Sequence, residues 1–175
     1  MVLVLSGPVH AGKTTFLERV LPLWRARGLA CAGFLSPAVT DEAGETGYDL
    51  VEIGSGRRRP YLRRRAEPGA ERIGPYVFVP AALERARAII RESGPSRLLV
   101  VDEVGPLELR GGGLWPALRG ALAAHWPALL LVVREDIVKD LAARVAPLVP
   151  VVFDFGDAEA RRLLEERLFR NESAP

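Results

Sequence analysis

Gly7-Pro8-Val9-His10-Ala11-Gly12-Lys13-Thr14 sets two glycines, a lysine and a hydroxyl between the apolar run Val2-Leu3-Val4-Leu5 and the helix-like stretch Thr15-Phe16-Leu17-Glu18-Arg19-Val20. This is the pattern G-x-x-x-x-G-K-[ST], in the strand-before and helix-after setting it requires. Backbone N–H groups turned inward, backed by the positive end of a helix dipole, form a cradle for phosphate oxygens. Gly7 and Gly12 let the chain turn tightly and approach phosphates without a Cβ in the way. Lys13 would reach β- and γ-phosphates, the Thr14 hydroxyl would hold Mg²⁺, and Thr15 would touch an α-phosphate. His10 stands where such loops often carry a third glycine; it is expected to accept a positive φ and to fill the loop, facing solvent or nucleotide. The nucleotide-binding candidates are therefore Gly7, Pro8, Val9, His10, Ala11, Gly12, Lys13, Thr14 and Thr15.

A second stretch answers the first. Leu98-Leu99-Val100-Val101-Asp102-Glu103 is an apolar run ending in two carboxylates. Downstream of a phosphate loop this places Asp102 at the carboxyl edge of a sheet, beside Thr14 and its Mg²⁺. Glu103, one residue on, is placed to orient and polarise a water for attack on a γ-phosphorus. Leu129 to Val133 reads as a further strand with Arg134 at its end. At that edge Arg134 would sense γ-phosphate charge, unless it pairs with Glu135 or Asp136 at the surface. Lys13, Glu103 and Arg134 are thus the catalytic candidates, and Thr14 and Asp102 the metal ligands.

The elements that must position these residues alternate. A helix is expected from Thr14 to Arg27, with Phe16, Leu17, Val20, Leu21 and Trp24 at helical spacing and a kink or break at Pro22. Leu29 to Leu35 reads as a buried strand. From Ser36 to Arg65 the pattern turns to hairpins: a turn over Asp41–Gly47, a period-two run over Tyr48–Ile53, a second turn at Gly54-Ser55-Gly56, then Arg57–Arg65. This is an antiparallel meander added to a parallel sheet. A loop from Ala66 to Gly74, a strand over Tyr76–Val79, and a helix opened by Pro80 and stopped at Gly94-Pro95 follow. Gly111-Gly112-Gly113 is a joint before a helix from Leu114 to about His125. Helices over Asp136–Ala146 and Asp157–Phe169 flank a last strand, Val149–Phe153, and Asn171–Pro175 is a tail. The class is α/β, a three-layer fold with a mainly parallel sheet and added antiparallel strands, in one domain.

At 175 residues, 49% of them hydrophobic and 26% charged, the chain is long enough to bury a core without disulfides or metal. Cys31 is the only cysteine and reads as a buried small hydrophobe; His10 and His125 are too few for a zinc cluster. No apolar run reaches the ~18 residues of a membrane span, and the start carries strand residues rather than a leader, so a cytoplasmic location is expected. The net charge of +2 is almost all arginine on its positive side, and Gln is absent. Scarce thermolabile side chains with many Arg and Pro suggest a thermophilic origin. The six arginines of Arg57–Arg65 have three readings: a nucleic-acid track, which is not favoured, a solvated strand, or a cationic lid over nucleotide.

Taken together, Gly7–Thr15, Gly33-Phe34-Leu35-Ser36-Pro37, Gly47-Tyr48-Asp49-Leu50-Val51, Arg72-Ile73-Gly74-Pro75-Tyr76-Val77 and, most specifically, Val101-Asp102-Glu103-Val104-Gly105-Pro106-Leu107-Glu108-Leu109 resemble a P-loop nucleoside-triphosphatase family. That family includes archaeal and thermophilic-bacterial enzymes and the human cancer-related nucleoside triphosphatase. The resemblance runs from Met1 to about Val133. It implies a P-loop fold and slow, Mg²⁺-dependent hydrolysis of ATP, GTP and other nucleoside triphosphates. CTP and UTP are expected among the substrates, and the chain is expected to be a monomer. The resemblance carries the metal role to Asp102 and the water-orienting role to Glu103. His10 replaces a glycine usual in the family's loop and Pro106 a common lysine, departures expected to alter rate and preference. Glu108 is expected to hold its loop by hydrogen bonding. Two other readings stay open: a nucleoside or metabolite kinase, and a nucleotide-dependent accessory module like those of molybdenum-cofactor assembly. No Asn-Lys-x-Asp segment that would read guanine occurs.

Overall fold

The computed structural model describes residues 1–64, 70–93, 96–124 and 126–170. Arg65, the first four residues of the expected 66–74 loop, the helix stop at Gly94-Pro95, His125 and the tail lie outside the described residues; the rest of that loop includes a two-residue strand, Arg72–Ile73.

Val2, Leu3, Val4 and Leu5 are all buried, and the two-residue pleat divides them between two cores. Val2 and Val4 join Leu99, Val101, Leu129, Leu131 and Val133 on one face; Leu3 and Leu5 join Leu98, Val100, Leu130 and Val132 on the other. Strands apolar on both faces belong in the middle of a parallel sheet covered by helices.

Among the described residues there are ten strands: β1 (Val2–Gly7), β2 (Cys31–Leu35), β3 (Ala38–Asp41), β4 (Gly44–Glu52), β5 (Arg58–Arg63), β6 (Arg72–Ile73), β7 (Tyr76–Phe78), β8 (Leu98–Val104), β9 (Ala128–Arg134) and β10 (Val151–Asp154). The helices are α1 (Lys13–Ala26), α2 (Pro80–Glu92), α3 (Pro106–Leu109), α4 (Trp115–Ala123), α5 (Val138–Val145, after a 3-10 turn at Glu135–Ile137) and α6 (Ala158–Phe169). The sheet runs β10-β1-β9-β8-β2-β4-β5-β7-β6, with β3 paired to β4. From β10 to β2 all neighbours are parallel; from β2 onward all are antiparallel. Helices α1 and α6 pack on one face through Leu17, Leu21, Trp24, Leu164 and Leu168, and α2, α4 and α5 on the other. The expected three layers and antiparallel extension are both present.

Three local expectations need correction. Helix α1 runs across Pro22 without a break, because Pro22 and Glu18 are both on the exposed side, where water can satisfy the carbonyl that Pro22 leaves unbonded. The turn expected over Asp41–Gly47 is only Glu42-Ala43, and Gly47 already lies within β4. Gly47 serves close approach rather than turning, since a Cβ there would sit 2.1 Å from the Leu62 carbonyl oxygen. Gly105-Pro106 reads in the sequence as a simple turn away from the strand, whereas Pro106–Leu109 form a short helix, α3.

Candidate active site

The loop between β1 and α1 has the backbone its residues predict. Gly12 has φ +93° and caps α1, and His10 has φ +60°, the left-handed conformation expected of it. The His10 side chain is exposed, with Nδ1 3.7 Å from Glu45 Oε2. Lys13 folds back over the loop, its Nζ donating to the Gly7 carbonyl at 2.8 Å and the Pro8 carbonyl at 2.6 Å. Burial lowers its pKa, an effect the charges of Glu103 and Asp102 oppose.

The pleat explains how Asp102 reaches this loop. Leu98 and Val100 face α1, so Asp102, two residues on, meets the first turn of that helix. It is fully buried, and its Oδ2 accepts from Thr14 Oγ1 at 2.8 Å and from the Ser36 N–H at 2.9 Å. Its Oδ1 and the Ser36 hydroxyl are buried without hydrogen-bond partners among the described residues. Burial raises the Asp102 pKa despite those bonds. A buried carboxylate with one oxygen committed to a loop hydroxyl and the other unpartnered suits a cation or its bound water. The described residues hold no group of three or more His, Cys, Asp or Glu able to bind a metal by themselves. Magnesium does not need one, since it commonly binds through one or two carboxylates together with phosphates and waters.

Glu103 is set by an irregularity. Between Val101 and Val104 the pairing of β8 with β9 shifts register, so Asp102 and Glu103 together oppose the single residue Val132. This bulge carries Glu103 at φ +67°, a conformation that costs about 1–3 kcal/mol in a residue with a side chain. The bulge re-aims Glu103 out of the pleat and into a cleft of about 780 Å³. Its side chain opens onto the cleft, yet protein surrounds it on most other sides. This desolvation, then the charge of Asp102, pushes its pKa up to about 8.

The cleft brings together Val9–Thr15, Asp102, Glu103 and Arg134; Gly7 and Pro8 support it from behind through their bonds to Lys13. Arg134 lines the cleft and also pairs with Asp136 at 2.9 Å, so its place at the cleft and its surface pairing coexist. Its Nε is buried without a partner among the described residues. An exposed ion pair of this kind is worth about 0–1 kcal/mol, and an arriving phosphate could displace it. None of the described arginines from Arg57 to Arg64 lines the cleft. Arg58 and Arg63 pair with Asp49, Arg59 with Glu52, and Arg64 lies 5.2 Å from the Tyr76 ring centre. These contacts fit the solvated-strand reading of the cluster, its arginines paired within the strand layer, and leave the track and lid readings without support. Cys31 is half-buried rather than buried; desolvation pushes its thiol up to about 11, away from reactivity.

Residues that sequence reading did not single out complete the cleft: Glu45 and Tyr48 from β4, Tyr76 from β7, and Arg110 after α3. Glu108, assigned a holding role, has it: its buried carboxylate accepts from the N–H groups of Gly105 at 2.9 Å and Leu114 at 3.0 Å, fixing the chain just after the bulge.

A phosphate-cradle loop after the first strand, with a carboxylate pair near the carboxyl end of β8, which runs parallel to it with β9 between them, defines an α/β protein of the P-loop kind. The sequence pattern of the NTPase family matches residues 2–155, and the chain belongs to that family. It is 33% identical to the nucleoside-triphosphatase THEP1 of Methanopyrus kandleri over 79% of this chain and 78% of that one. It is 30% identical to the cancer-related nucleoside-triphosphatase homolog of Mus musculus over 73% and 71%. Among solved structures, the human cancer-related nucleoside triphosphatase superposes with a TM-score of 0.71 at 27% identity, covering 99% of this chain and 98% of that one. THEP1 of Aquifex aeolicus, at 18% identity and a TM-score of 0.67, shares the fold.

Proposed function

We propose that the chain hydrolyses nucleoside 5′-triphosphates, ATP, GTP, CTP and UTP alike, to the diphosphate and inorganic phosphate. The observation that carries this reading is the bulge that holds Glu103 at positive φ, next to the buried Asp102 and across the cleft from Lys13. Strain at a carboxylate facing a phosphate loop is better accounted for by chemistry than by packing.

In this reading the loop N–H groups and Lys13 bind the β- and γ-phosphates, Lys13 exchanging its bonds to the Gly7 and Pro8 carbonyls for phosphate oxygens. Thr14 and Asp102 would hold magnesium, which when bound neutralises charge building on the phosphate oxygens. Glu103 orients the attacking water and draws its proton as the oxygen approaches the γ-phosphorus and the bond to the bridging oxygen breaks. Arg134, released from Asp136, meets the charge of the departing phosphate. The names of the relatives support the substrate class, and the lack of a guanine-reading segment supports weak base discrimination.

The test is phosphate release from the four nucleotides with magnesium, comparing the wild type with Glu103→Gln. Release from several nucleotides, with a loss of about 10²-fold or more in a variant that still binds them, is the expected result. Binding without release by either protein would sink the proposal.

A further inference from the structure

The cleft measures about 780 Å³, within the range of small-molecule sites, and its lining extends past Glu103 to Tyr48, Ile73 and Tyr76. Its parts lie in a fixed order across the sheet. The phosphate loop follows β1, Asp102 and Glu103 end β8, and beyond them, past β2, stands a wall from β4, β6 and β7. Lys13, Thr14 and Asp102 fix the β,γ end of a triphosphate toward β8. In the proposed reading its nucleoside leaves past Thr15, away from β8. The far wall therefore stands beyond the γ-phosphate, where an incoming nucleophile would sit.

That wall is built. Tyr48 and Tyr76 pack edge to face, ring centres 5.5 Å apart at 88°. Both hydroxyls donate to Glu45 Oε1, at 2.8 and 2.7 Å, and Glu45 Oε2 reaches toward His10 of the phosphate loop. Ile73 and Pro75 add apolar surface and Arg110 a cation at the rim. Aromatic rings beside a carboxylate suit a molecule with a flat base and sugar hydroxyls. Glu45 sets a carboxylate in this wall, which disfavours a further phosphate beside it, so an uncharged nucleoside fits better than a nucleotide.

We propose that this far compartment binds a nucleoside as phosphoryl acceptor, so that the chain also transfers the γ-phosphoryl group to a nucleoside hydroxyl. The inference rests on the triphosphate placement above. The hydroxyl oxygen bonds to the γ-phosphorus, the bond from that phosphorus to the bridging oxygen breaks with its electron pair going to the nucleoside diphosphate, and the hydroxyl proton passes to solvent. Hydrolysis is then the same displacement with water in place of the acceptor.

The experiment incubates the full chain with γ-labelled ATP, magnesium and millimolar adenosine, guanosine, cytidine or uridine, and separates labelled nucleoside monophosphate from labelled inorganic phosphate. Labelled monophosphate is expected with at least one nucleoside. Tyr76→Ala is expected to lower the ratio of monophosphate to phosphate at least tenfold, and to raise the KM for nucleoside more than that for ATP. Calorimetry with nucleoside added to wild-type protein saturated with a non-hydrolysable triphosphate is expected to show one further site, independent of how any variant folds. Phosphate release with neither label transfer nor nucleoside binding overturns the inference and leaves hydrolysis standing. Transfer without phosphate release overturns hydrolysis and keeps the acceptor site. Bound ATP with neither product overturns both.

Discussion

Asp102 and Glu103 are chain neighbours with different surroundings, and their difference is the chemistry of the cleft. Asp102 is sealed in and hydrogen-bonded to Thr14 and Ser36, whereas Glu103 stands in the open cleft with protein behind it. Its raised pKa of about 8 has a definite consequence for rate. A water-orienting carboxylate works only when ionised, so kcat/KM, which reports the free enzyme, is expected to rise with pH and level off above about 8. The rise should vanish in Glu103→Gln; a flat wild-type profile from pH ~6 to ~9 would remove Glu103 from that role. At this scale the sequence was most readable where the site is contiguous. Gly7 to Thr15 and Asp102 announce themselves by local pattern, and even the positive φ of His10 follows from its place in the loop. Glu45 and Arg110 carry no such signal, and Tyr48 and Tyr76 stand only in stretches that carry the family resemblance, because all four reach the cleft only when distant strands fold beside it.

The element that decides how well Glu103 is held is α3, a helix of four residues. Glu108 ties the start of α3 to the residue before α4 by taking two buried N–H groups on one carboxylate. Glu108→Ala leaves both donors unpaired, at roughly 1–3 kcal/mol each. A fall in melting midpoint is expected, about 2–4 °C for each kcal/mol in a chain of this size. Glu108→Gln, which keeps one acceptor oxygen, should recover part of it. An unchanged melting curve for the alanine variant would show that these bonds add nothing. Strands and long helices were legible from two-residue and helical spacing, but α3 was not, being too short to show a period. The bulge in β8 was hidden for a different reason. An extra residue in a ladder is defined against the partner strand, and nothing in Val101–Val104 alone reveals it.

The whole molecule joins two kinds of sheet along one line of pairing, and its surface is laced with arginine pairs. Glu52 is the clearest hub: a buried carboxylate in contact with both Arg59 and Arg85, at 2.8 Å each. Hydrogen bonding from Arg85 outweighs burial there and holds its pKa below the usual carboxylate range. Glu84 shares Arg87 and Arg91, and Arg162 bridges Glu159 and Glu166 along α6. Networks of this kind matter more at high temperature, where the desolvation penalty of ion pairs falls. Together with the scarcity of Asn, Gln and Met in the sequence, they lead to an expected melting midpoint above the ~45–65 °C of mesophile domains. A midpoint inside that range by calorimetry would refute it. The parallel half and the antiparallel extension were both foreseeable from the change in spacing after Ser36. That the extension would become the far wall of the cleft was not, since it depends on β4 pairing with β2 rather than leaving the domain.

The bulge also has a meaning in the currency of genes. In an unbroken pleat Asp102 and Glu103 would point to opposite faces, Asp102 toward α1 and Glu103 into the core with Leu99 and Val101. One additional codon in β8 is enough to convert a strand presenting a single acid at this edge into one presenting two, while Val104 returns to its core position downstream. In the proposed reading, a single in-frame insertion thus separates a strand that would hold a cation from one that would also direct a nucleophile.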